Sequence, residues 1–339
     1  MGRRTLVLAA IAAIAAMSVG TARAGDPGGS QTGSIHSHAD GPGIDHHGKR
    51  PSAAMGDVYT TPTTWSASEY DGKQLATDAP DLMDAAKLPQ FHAVYMYPSD
   101  GVNRFAQFAA KFQADARATS SALGTWYGRG LRWDERLGSD GSTRFLDITV
   151  VKAKANTRTL AGSKQFSTVQ SELTTKGLTN SNKKYLVWLD ASSSYCGQSS
   201  ISKDASRSVS NLNNRRTTAV VYRYKGYSQT DPTTGGWCGW GTALHEMAHS
   251  LGAVQSVAPN IADYTHCDDN ANDILCGYAS TIPYDASKPR LFDYGNDDYW
   301  DPAADPSSGS NARLGWWTVN LNRFVCPTLG CGQPNDPVF

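Results

Sequence analysis

The stretch His245–Gln255, HEMAHSLGAVQ, decides how the rest of the chain is read. On a helix, His245 and His249 stand one turn apart and share a face. Their imidazoles can then converge on one ion at ~2.0–2.1 Å, the ligand distance of Zn2+. Glu246 points to an adjacent face, placed to take a proton from a metal-activated water and hand it to a leaving group. Leu244, Met247, Ala248 and Leu251 fall at helical spacing and predict an apolar stripe that buries the helix against other elements. Gly252 predicts the helix end, in the left-handed conformation open to glycine. A catalytic zinc takes three protein ligands plus water, and the motif supplies two. The place three residues after Gly252 holds Gln255, a neutral amide that competes poorly with imidazole.

Upstream, apolar runs alternate with helical patterns. Residues 91–97 predict a buried strand, and NRFAQFAAKFQADARATSSAL predicts a helix through Phe105, Phe108, Ala109 and Phe112. TRFLDITVVKA predicts a second strand, and residues 165–176 a helix ended by Gly177. KKYLVWLD and TTAVVYRY predict a third and a fourth strand. This order predicts an α/β (α+β) fold with a mixed, twisted, largely parallel sheet. The fourth strand, reached through a long loop holding Cys196, is expected to lie antiparallel at the sheet edge. After Gly252 the chain is loop-rich, and residues 86–339 are expected to form one domain.

The chain of 339 residues opens with a basic pair, Arg3-Arg4, an apolar run and Ala22-Arg23-Ala24. That is the form of a signal peptide over residues 1–24, and it predicts a secreted protein. Its removal takes away Arg3, Arg4 and Arg23 and no acid, leaving 28 basic against 31 acidic side chains. A formal charge of −3 gives no case for nucleic acid or an anionic membrane as partner. Residues 25–85 are rich in Gly, Ser, Asp and His and predict a disordered linker or pro-segment, with His36, His38, His46 and His47 in it. Six cysteines in an exported chain predict disulfides, of which nearest-neighbour pairing gives Cys196–Cys238, Cys267–Cys276 and Cys326–Cys331. FDYGNDDYWDP offers Asp293, Asn296, Asp297, Asp298 and Asp301, an oxygen-rich set that suits Ca2+ without matching an EF-hand. Trp237 and Trp240 are expected to cover the start of the His245 helix, and Trp316 and Trp317 to serve as core or cleft wall. His92 is expected to be structural.

The motif resembles that of the metzincin clan of zinc endopeptidases, H-E-x-x-H-x-x-G-x-x-H (or Asp), which is followed by a methionine-containing turn under the metal. HEMAHSLG matches it through Gly252. HEMAHSLGAVQ, HCDDNANDILCGYAS and FDYGNDDYW are also similar to a group of exported actinobacterial proteins related to that clan. The resemblance implies a monomeric metalloprotease domain hydrolysing a peptide or protein substrate with Zn2+, with Glu246 as general base. DILCGY stands at the turn, with Leu275 for methionine. The third ligand stays open among His266, Asp263, Asp268, Asp269 and Gln255, with His266 favoured because a Cys267–Cys276 bridge would tie it to that turn. Tyr278, after the turn, is in the place of a tyrosine that serves the oxyanion or the metal. The departures also keep open a non-catalytic secreted binding protein on the same scaffold, or a zinc amidase acting on cell-wall peptide.

Overall fold

The computed structural model describes residues 34–37, 89–124, 130–137, 144–194, 196–224 apart from 207 and 209, 238–300 apart from 264, 277–279, 286, 289 and 296, and 319 and 322–326. The signal peptide, nearly all of the 25–85 segment, Tyr278, Asn296, Asp301, Trp237, Trp316, Trp317 and the side chains of Cys326 and Cys331 lie outside them.

A six-stranded sheet organises the chain. Its strands are β1 (Ser34–Ser37), β2 (Gln90–Tyr97), β3 (Ile148–Lys152), β4 (Lys183–Ser193), β5 (Gly197–Ile201) and β6 (Thr218–Tyr224), in the order β1-β5-β6-β4-β2-β3. β2 runs parallel to β3 and β4, and β4 parallel to β6. β5 is antiparallel to β6, and β1 antiparallel to β5. Among the described residues four helices flank it: α1 (Phe105–Gly124), α2 (Thr157–Leu160), α3 (Gln165–Thr175) and α4 (Trp240–Ser250).

Strand periodicity divides the core into two layers. Ala93, Tyr95, Leu186, Trp188, Ala219 and Val221 join Phe108 and Phe112 of α1 and Leu244, Met247 and Ala248 of α4 in one cluster. Val94, Met96, Val187, Leu189, Val220 and Tyr222 join Leu160 of α2 and Phe166, Val169 and Leu173 of α3 in the other. The result is a sheet covered on both faces, as a parallel sheet requires. Phe112 stacks on Trp188 with ring centroids 4.7 Å apart. Truncating a buried Phe of this kind to Ala costs about 3–5 kcal/mol.

Two details depart from the sequence reading. Thr218–Tyr224 is not an antiparallel edge strand but runs parallel beside β4, apolar on both faces. The antiparallel position belongs to β5, whose GQSSI has no apolar alternation to announce it. Its buried polar groups are satisfied from the neighbouring strand and from α3: Tyr222 donates to Gln198 Oε1 at 2.5 Å, and Gln170 Nε2 to Ser200 Oγ at 3.2 Å. Second, within the segment expected to lack regular structure, Ser34–Ser37 pair with β5 over Ile201–Gln198. An edge strand offers unpaired N–H and C=O groups, and any extended segment in reach can take them.

His92 is a core residue, as expected. Its Nδ1 lies 2.6 Å from Asp134 Oδ2 and its Nε2 2.8 Å from Thr149 Oγ1, while Lys183 Nζ bonds the same Asp134 oxygen at 2.5 Å. Among the described residues no helix is long and apolar enough to cross a membrane.

Candidate metal centre

α4 is buried along its whole length, both histidines and Glu246 included. Its C-terminal end is a Schellman motif. Ala253 N–H donates to Ala248 O at 3.0 Å and Gly252 N–H to His249 O at 2.9 Å, with Gly252 at φ +84°. Glycine is needed there twice over, since a β-carbon would also stand 2.6 Å from the Asn213 side chain. Lys184, buried on β4, donates to Ser250 O at 2.7 Å and to Asn213 O, Arg215 O and Thr217 Oγ1. Burial, with the nearby Arg323 adding to it, pushes this lysine well below its usual range. The helix is therefore fixed at the end that carries His249.

His245 Nδ1 lies 2.8 Å from the carbonyl oxygen of Ile274. A carbonyl can only accept, so Nδ1 carries the proton and Nε2 presents its lone pair. That lone pair faces His249 Nε2 at 2.9 Å. Two nitrogens on one tetrahedral Zn2+ stand roughly 3.3 Å apart, close to this separation. His266 completes the group, its ring centroid 5.4 Å from that of His245 and 5.3 Å from that of His249. One nitrogen from each of the three lies within 4.8 Å of the others.

His266 arrives there on a short ladder. His266–Cys267 pairs antiparallel with Ile261–Asp263, and the Cys267–Cys276 disulfide ties it to the turn 273–276. Cys267 N–H donates to Leu275 O, and Leu275 N–H to Asp273 Oδ1. Leu275 is fully buried in the core. The Cys196–Cys238 disulfide joins the start of β5 to the residues just before α4. Trp240 opens the helix and is nearly buried. The Cys326–Cys331 expectation falls outside the described residues.

The Gln255 amide nitrogen is committed to the backbone, while its Oε1 is buried without a hydrogen-bond partner among the described residues. Its Nε2 donates to Ser202 O and Gly252 O, both at 3.0 Å, bracing the chain after the helix. Asp269 stands within 4.8 Å of Asp298 rather than in the imidazole group, and Asp268 joins neither. Asp263 lies on the paired strand Ile261–Asp263.

Glu246 is enclosed, and burial pushes its carboxyl well above the usual carboxylate range. Gly197, the first residue of β5, lies directly against it. Nothing in the sequence around Gly197 pointed to this contact. Asp273 and Asn213 were likewise missed, because their roles depend on packing between distant loops. For Asp273 the signal was that HCDDNANDILC is rich in Asp and Asn between two cysteines.

No family model matches the chain, and no curated protein matches it. Among solved structures, wild-type OgpA from Akkermansia muciniphila aligns in two crystal forms over 50% of this chain and 50% of its own. The identity is 13% and 14%, and the TM-score is 0.29. Catalytically inactive OgpA in complex with an O-glycopeptide (glycodrosocin) substrate aligns over 49% of each chain at 12% identity and a TM-score of 0.28. The chain spans about half the length of these proteins. So loose a superposition carries no argument about fold or chemistry, which rest on the residues above.

Proposed function

We propose that this chain is a secreted zinc-dependent endopeptidase of metzincin type, with His245, His249 and His266 as metal ligands and Glu246 as general base. The observation that carries the reading is the convergence of three imidazoles beside an enclosed carboxylate. The donor set fits the ion. Three nitrogen donors suit Zn2+, and the Ile274 carbonyl fixes the His245 tautomer in which Nε2 carries the lone pair. When bound, Zn2+ supplies Lewis acidity that lowers the pKa of water and polarises a carbonyl.

The chain's own residues do the rest. Glu246, with its raised proton affinity, accepts the proton of the attacking water and delivers it to the leaving amine. β5 supplies the substrate edge. Its first residue touches Glu246, and its outer side accepts an extended segment, as the pairing with Ser34–Ser37 illustrates. A peptide held there would run past the general base.

Metal analysis and a single variant test the proposal. The purified protein is expected to hold one zinc per chain. Glu246→Gln is expected to keep the metal and lose ~10²–10⁴ in the rate of peptide hydrolysis. Absence of zinc would favour the binding-protein reading, and hydrolysis by Glu246→Gln at the parent rate would refute the assigned base. Zinc with turnover only on cell-wall material would favour the amidase.

A further inference from the structure

Apart from the imidazole group, three aspartates from two segments of the chain meet in the interior. Asp273, Asp293 and Asp298 are 1%, 3% and 1% exposed, and one oxygen from each lies within 4.8 Å of the other two. Two of the carboxylates are held rigidly. Asp273 accepts from Leu275 N–H, Tyr294 N–H and the Tyr299 hydroxyl, and Asp293 from the N–H groups of Asp297, Tyr299 and Trp300. Asp298 is different. Its Oδ1 has no hydrogen-bond partner among the described residues. Its Oδ2 faces Cys276 Sγ at 3.7 Å, a sulfur committed to a disulfide and without a proton to donate. None of the three forms an ion pair with a Lys, Arg or His of the described residues.

We propose that Asp273, Asp293 and Asp298 form a second metal site, separate from the imidazole group, which takes a hard divalent cation of the calcium class. Buried like charges at this separation must either retain protons or share a cation. An all-carboxylate donor set without nitrogen or sulfur selects a hard ion. Ca2+ binds oxygens at ~2.3–2.6 Å, so opposite ligands stand up to roughly 5 Å apart, which the 4.8 Å limit satisfies. Mg2+ demands shorter, near-octahedral coordination and sheds water reluctantly, which fits a dry carboxylate cluster less well. Without a cation the cluster keeps protons: burial pushes Asp293 up to about 7, and burial with the charges of Asp273, Asp293 and Asp269 pushes Asp298 up to about 10. The sequence loop 293–301 contributes only two of the ligands, and Asp273 comes from the turn under His245. Because Ile274 follows Asp273 and its carbonyl holds His245 Nδ1, the ion would pin the strap that orients this imidazole.

The test uses the full secreted protein, stripped of calcium on a chelating resin, with its zinc content assayed independently in every sample. Equilibrium dialysis with radiolabelled CaCl2 is expected to give about one Ca2+ per chain. Excess CaCl2, but not equal MgCl2, is expected to raise the Tm by about 5 °C. Asp298→Asn, which preserves shape and removes the charge, is expected to abolish both effects while the zinc bound at saturating Zn2+ stays at the parent level. Asp269→Asn removes a neighbouring charge from a half-buried position and is expected to weaken calcium several-fold without endangering the fold. A parent that takes up no calcium overturns the proposal, as does parent-like calcium affinity in either variant. Loss of the zinc reading alone would leave these outcomes intact.

Discussion

Gly197 on β5, which pairs antiparallel with β6, abuts the side chain of Glu246 on α4. A β-carbon at position 197 would stand 2.5 Å from Glu246 Cγ and 2.7 Å from Cδ. The packing of β5 on α4 thus leaves room for the Glu246 carboxylate only because residue 197 has no side chain. Gly197→Ala is expected to displace Glu246, lowering kcat by at least about tenfold while zinc content stays at the parent level, since a positioned base contributes ~10²–10⁴. Single-turnover hydrolysis with parallel metal analysis checks this. Parent activity in the variant would show that the contact does not position the base.

His266 and Gln255 are expected to part company on metal retention. His266→Ala removes an imidazole from the group of three, whereas Gln255→Ala removes two bonds to backbone carbonyls. Dialysis against graded chelator should strip His266→Ala at far lower chelator than the parent, and Gln255→Ala close to parent. Second-site effects should show instead in stability, where Gln255→Ala loses about 1–3 kcal/mol for the carbonyls left unmet. The reverse order of zinc loss would assign the ligand place to glutamine.

The buried His92–Asp134–Lys183 group makes an acid-stability prediction. Burial pushes the Asp134 carboxyl up, but the His92 bond and charge and the Lys183 ammonium outweigh it and leave Asp134 below its ordinary value. A depressed carboxylate stabilises the fold above the unfolded pKa, about 3.9, and that contribution is lost as pH falls through the folded value. Asp134→Asn is expected to cost about 3–5 kcal/mol at pH 7, and the gap to the parent should narrow below about pH 4. Urea titrations at pH 7 and pH 3 measure both. An equal gap at the two pH values would rule out this linkage.

If β5 takes the substrate as proposed, its pairing with Ser34–Ser37 predicts competition for that edge. A tethered strand acts at an effective concentration on the order of mM. Deleting residues 25–40 is expected to lower KM for an extended peptide several-fold with little change in kcat. Identical KM in the two forms would place the substrate elsewhere.

Much of the fold was legible because its signals are local. The strand and helix patterns from Phe91 to Tyr224 follow from burial on two faces of a sheet, and Gly177 and Gly252 adopt the positive φ expected of helix ends. β5 was not legible, since Gly-Gln-Ser-Ser-Ile meets its needs with hydrogen bonds from Tyr222, Gln170 and Gln165 rather than with apolar alternation.

The sequence alone determined the part of the site that lies within one helical turn: two imidazoles on a shared face, a carboxylate beside them, and a glycine that stops the helix. Helical geometry is fixed by spacing, so no distant residue was needed. Tertiary structure decided everything that depends on two segments meeting. It brought His266 to the pair across a disulfide-tied ladder, turned Gln255 toward backbone carbonyls, set Gly197 against Glu246, and gathered Asp273, Asp293 and Asp298. Spacing along a loop does not encode such proximity, because a loop's path is set by what it packs against.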